Sequence, residues 1–156
     1  MKRLLALLAL LSAALAVPAQ AQNYGPNISF QQAKTVLAAA EAEASKQNFT
    51  VAIAIVDTAG HLVAFSKGDN TQIASVDISQ GKARSAVGFK RPTKALQDTV
   101  AAGGVGLRML TLEGVVAAEG GIPLLQNGAI VGAIGVSGMT SEQDGVVAAA
   151  GVAALK

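Results

Sequence analysis

The dipeptide Asn127-Gly128 stands between two apolar runs, Ile122 to Leu125 and Ala129 to Val136, and constrains the chain more than any other local feature. A two-residue loop between antiparallel strands needs positive φ at both central positions, and Asn-Gly meets that demand at little cost. The pattern predicts a hairpin whose second strand stops at Ser137-Gly138. A second hairpin is expected upstream. Thr50 to Val56 is β-branched and apolar almost throughout, as in a strand covered on both faces. Asp57-Thr58-Ala59-Gly60 reads as its turn, His61 to Lys67 as the return strand, and Gly68-Asp69-Asn70 as its close.

Helical patterns surround these hairpins. Ser29 opens the first, with Gln32 at capping-box spacing and Phe30, Ala33, Leu37, Ala40 and Ala44 on one face. Thr71 to Phe89 is weakly helical and rich in small residues, and Pro92 starts a short helix over Thr93 to Val100. Leu107 to Gly114 fits helix or strand equally. Ser141 is expected to cap a final helix, with Asp144 near its start and Val147, Ala150 and Ala154 on one face. The order helix, hairpin, two helices, hairpin, helix predicts an α+β fold: a two-layer sandwich of an antiparallel sheet, about four or five strands, with flanking helices. A sheet face left bare would drive homo-oligomer formation.

Composition sharpens the domain plan. Lys2 and Arg3 precede an apolar run, Leu4 to Val17, too short for the hydrocarbon core, and Ala19-Gln20-Ala21 follows. This is the pattern of a signal peptide over residues 1–21, cleaved after Ala21. Residues 22–28 read as a flexible lead-in, and residues 29–156 as one domain. The expectation is a periplasmic or secreted protein with no stable membrane anchor after cleavage. Losing Lys2 and Arg3 takes Lys+Arg from 12 to 10 against 10 acids, so the basic sequence pI near 9.1 belongs largely to the leader. The neutral remainder, with four Phe, one Tyr and no Trp, does not suit nucleic acid. Zero cysteines exclude disulfides and thiolate chemistry.

Charge is unbalanced in one place. Lys82, Arg84, Lys90, Arg91 and Lys94 fall in a stretch without an acid, suited either to a solvated face or to a small anionic ligand held by guanidinium forks. His61 is the lone histidine, which excludes a His-rich metal cluster but leaves a general base, a single iron ligand or a bland turn residue. Gly120-Gly121 and Gly135-Val136-Ser137-Gly138 lack the spacing of a phosphate loop or nucleophile elbow. They suit close packing or ligand-facing backbone.

Several segments together resemble a known family: Asp57-Thr-Ala-Gly60-His-Leu-Val63, Lys82-Ala-Arg84-Ser-Ala86, Arg91-Pro-Thr93, Gly120-Gly-Ile-Pro123, Gly132-Ala-Ile-Gly-Val-Ser-Gly138 and Glu142-Gln-Asp144. In that order they are similar to the GlcG/HbpS family, whose common domain is named haem-degrading. The resemblance spans Ser29 to Lys156 and implies a profilin- or PAS-like α+β domain that assembles into oligomers. It also implies haem as cofactor for some members, with degradation or iron release. The implied ligand residues are His61, Lys82, Arg84, Arg91, Thr93, Gly121, Ser137 and Asp144, with His61 as iron ligand and Thr111, Met139 and Tyr24 in reserve. The first helix, where the resemblance would put an iron-linked histidine, has none. Two other readings stay open: a small-molecule enzyme or binding protein for a carboxylate or hydroxy acid, and an assembly module without a ligand.

Overall fold

The computed structural model describes residues 22–156. The expected leader, residues 1–21, lies outside the described residues. The order is α1 (Phe30–Lys46), β1 (Ala52–Asp57), β2 (Leu62–Lys67), α2 (Ser75–Phe89) and α3 (Thr93–Ala101). A 3-10 helix (Gly104–Thr111), β3 (Gly121–Gln126), β4 (Ala129–Ser137) and α4 (Ser141–Ala153) follow. The four strands form one antiparallel sheet in the order β2-β1-β4-β3. The chain is thus the α+β antiparallel sheet with flanking helices that its sequence leads one to expect. Asn127 and Gly128 turn the β3–β4 hairpin with φ of 51° and 78°, the pair of positive values a two-residue loop needs.

Helices cover both faces. Ala33, Val36, Ala40 and Ala44 of α1 and Val147 and Ala148 of α4 pack on Ile53, Ile55, Leu124, Ile134 and Val136. On the opposite face Ala83, Ala86 and Val87 of α2 meet Val56, Ile130 and Ala133. On this face α2 packs on β1, β4 and β3, and Leu62 of the edge strand β2 is 48% exposed, so the argument from an uncovered sheet to an oligomer narrows to that edge. Small residues bring α2 close: a Cβ on Gly135 would lie 2.0 Å from the Ser79 carbonyl oxygen. Val131 has no opposite residue on β3, because the register slips between Leu124 and Leu125. That extra residue shifts the alternation along β4, so Ile130 shares a face with Ala133 and Val131 with Ile134.

Several boundaries differ from expectation. Ser29 caps α1 in a full capping box with Gln32, but Phe30 is 62% exposed. It occupies the first helical position, ahead of the buried stripe, and its ring carries Lys34 instead. The cap of α4 is Thr140, not Ser141, because Thr140 and Gln143 exchange side-chain and backbone hydrogen bonds. Residues 71–72 are irregular and 73–74 a turn ahead of α2, and Leu107 to Gly114 resolves into the end of the 3-10 helix and a turn. The lead-in is not loose: Asn23, Gly25 and Ile28 bond the β4 backbone at Ile130 and Val131, beyond the last residue that β1 pairs. Tyr24 Oη also donates to the Val87 carbonyl at 2.9 Å. No described helix is long and apolar enough to cross a membrane.

Candidate functional site

Five of the eight sequence-predicted site residues meet in one buried polar knot. Lys82 projects from α2 toward the end of β4, where Nζ donates to the Val136 carbonyl at 2.9 Å and to Asp144 Oδ2 at 2.8 Å. Both side chains are 3% exposed. Asp144 Oδ1 accepts the Met139 N–H at 3.0 Å, which ties the first turn of α4 to the strand end. Beside them the Gly121 N–H donates to Thr93 Oγ1 at 2.8 Å, and Ser137 Oγ donates to Ser75 Oγ at 3.3 Å. Glycine is required here by space. A Cβ on Gly121 would stand 2.4 Å from the Lys82 carbonyl oxygen, and one on Gly120 2.9 Å from Lys82 Nζ.

Burial holds the Asp144 carboxyl above its usual range; the Lys82 ammonium and the N–H groups of Met139 and Gly138 pull the other way. The polar atoms of the knot are spent on one another. It pins α2, α3 and α4 to the strand ends, and its side chains are buried away from solvent. Lys82 therefore drops out of the expected anion site.

The remaining three residues lie outside. The His61 side chain is 81% exposed, with Nδ1 3.5 Å from Asp57 Oδ2. Asp57 also fixes the turn, since its Oδ1 accepts the N–H groups of Ala59 and His61, both at 2.9 Å. Thr58 and Asn27 brace it further. Arg84 runs beneath the same turn, its Cγ 3.4 Å from where a Gly60 Cβ would stand. Arg91 is exposed just beyond α2, with Nε donating to the Phe89 carbonyl. Lys90 covers the Tyr24 ring at 4.2 Å, and Lys94 pairs with Asp98. The basic run is thus several separate environments. On a helix, residues 82 and 84 point about 200° apart, which sends one inward and the other out.

Of the reserve iron ligands, Tyr24 is spent on Val87 and Thr111 Oγ1 on the Arg108 carbonyl. Met139 is 37% exposed. Asp57 is the residue that sequence reasoning missed as a site member. Its signal was its place four residues before His61 at the head of a turn. His61, Asp57 and Arg84 thus share one turn: an exposed imidazole with Nδ1 3.5 Å from the Asp57 carboxylate, and the aliphatic stem of Arg84 packed under Gly60. That arrangement can ligate a metal centre and receive an anionic group beside it.

A family model described as haem degrading protein HbpS-like matches residues 28–153. The chain belongs to the HbpS-like family. Protein GlcG of Escherichia coli K12 is 41% identical over 110 residues, covering 70% of this chain and 81% of GlcG. The fold is similar to that of a Streptomyces reticuli HbpS double mutant, at a TM-score of 0.78 and 28% identity, over 93% of this chain and 98% of that one. It is also similar to the PduOC protein solved as a haem complex, at a TM-score of 0.76 and 29% identity, over 83% and 96%. Within this HbpS-like chain two cavities are well formed, of about 360 Å³ beside α1 and β2 and about 200 Å³ beside α3 and α4. Neither is lined by His61.

Proposed function

We propose that this chain is an exported haem-binding protein that seats the macrocycle on the His61 face and works as a homo-oligomer. The observation that carries the reading is the single imidazole, 81% exposed on the turn that Asp57 fixes through the His61 backbone, with the Arg84 stem packed against the same turn. Kinship with a protein solved as a haem complex supports it. The donor set fits the group: an imidazole ligates iron, a carboxylate behind it fixes the ring, and a guanidinium receives a propionate. When bound, haem supplies the iron chemistry, including any degradation of the macrocycle. The chain supplies the ligand, its orientation and the charge partner.

Neither described cavity is roomy enough for a tetrapyrrole, so the plane would rest on the surface near the exposed Leu62. A second subunit would cover the outer side, which gives the oligomer its purpose. A carboxylate enzyme would take Arg84 and Arg91 as clamps, Ser137 and backbone amides as donors, and Asp144 or His61 as acid or base; of these, the Ser137 and Asp144 side chains are buried. The carboxylate reading would rest on Arg84, Arg91 and His61, with backbone amides as donors.

Hemin titrated into the protein lacking residues 1–21 gives a saturable Soret shift at micromolar protein if the proposal holds. A shift that never saturates defeats it. Export is tested separately: the exported protein begins at Gln22, and an intact Met1 overturns the leader.

A further inference from the structure

A second site lies away from His61, and it stands independently of the haem reading. The smaller cavity, about 200 Å³, opens where α3, the approach to β3, and α4 converge. Pro92, Ile122 and Ala149 give it apolar walls, and Gly120, Gly121 and Gly145 give it bare backbone. Glu119 is the odd member. Its backbone N–H is fixed by Gln97 Oε1 at 2.8 Å, but its carboxylate has neither a hydrogen bond nor an ion pair among the described residues. Oε2 is sealed from water, and Oε1 lies 2.7 Å from where a Gly145 Cβ would stand.

A polar oxygen sealed from water with no donor supplied is costly to keep. The neighbouring cation makes no direct pair with it, because Lys94 Nζ is held by both Asp98 oxygens at 2.6 and 2.7 Å. Lys94 also feels the charges of Glu119 and Glu142, so this side of the molecule is acidic around its one ammonium. A divalent metal is poorly served, since no cluster of three potential ligands exists among the described residues. An organic cation suits both the charge and the apolar walls.

We propose that this cavity binds a small primary ammonium whose head pairs with Glu119 while its alkyl body lies between Pro92, Ile122 and Ala149. The volume is that of roughly six or seven waters, which limits the body to a short chain. The test uses n-butylammonium, with 1-butanol and butyrate as neutral and anionic counterparts, followed by backbone amide NMR shifts at Gly120, Gly121 and Gly145.

Butylammonium is expected to saturate with a Kd on the order of 1 mM, as suits so small a ligand. Butanol and butyrate do not saturate. Glu119→Gln weakens the amine at least about tenfold, and so does Ala149→Leu, which fills the cavity from an exposed helix position and leaves the carboxylate in place. Both variants keep the dispersed spectrum of the folded chain. Binding of butanol as tightly as the amine, unchanged affinity in Glu119→Gln, or no saturable shift with butylammonium overturns the proposal.

Discussion

Lys82 and Asp144 have each surrendered nearly all hydration, and each relies on the other for compensation. Such a pair holds the fold less by net attraction than by the penalty of separating it. Losing one member strands a buried charge and costs about 3–5 kcal/mol, whereas an apolar pair of similar volume is close to neutral. Lys82→Met is therefore expected to lower unfolding free energy in urea by about that amount, and Lys82→Met with Asp144→Leu to recover most of it. A double variant as unstable as the single one would contradict this.

The pH dependence has a definite sign. Because burial raises the Asp144 carboxyl in the folded state, the folded protein keeps this proton after the unfolded chain has lost it. The stability so gained is full below the ordinary carboxylate value of 3.8 and is lost as pH rises through the raised folded value. Relative to Asp144→Asn, the unaltered chain should lose stability over that window as pH rises. Parallel curves for the two proteins would refute it.

At the scale of elements, α2 is held as near to the sheet as backbone allows, and Gly135 makes this so. A Cβ there would lie 2.0 Å from the Ser79 oxygen and 2.5 Å from the Ala83 nitrogen, both backbone atoms of α2 that cannot swing aside. Gly135→Ala is expected to cost about 3 kcal/mol, read as a lower urea midpoint. An unchanged midpoint would mean that α2 can lift freely.

What was legible in the sequence follows the range of the interaction behind it. Asn127-Gly128 and Ser29 with Gln32 act within a few residues, so the hairpin and the first cap could be read directly. The cap at Thr140 was equally local, and was missed because Ser141 with Asp144 imitates it one residue later. The α+β order also followed from local patterns. Covering of the second sheet face by α2, and docking of residues 22–28 along β4, depend on contacts made by glycines and small side chains that carry no periodic signal. The site was legible as a set of residues but not as an arrangement. Only the helical phase of α2 separates Lys82 in the knot from Arg84 beneath the His61 turn.

For the molecule as a whole, the division between interior and surface decides the functional reading. The polar residues nearest the core are structural pins, and the groups free to meet a ligand lie on the β1–β2 turn and just past α2. Most of the sheet is covered by helices, and the exposed Leu62 lies beside the His61 turn, so subunit association would serve the ligand face. Hemin titration of the unaltered chain beside His61→Ala is the direct test. The account predicts that His61→Ala binds at least about tenfold more weakly, with a displaced Soret maximum that reports a changed iron ligand. Identical affinity and an identical Soret band in the two proteins would contradict it.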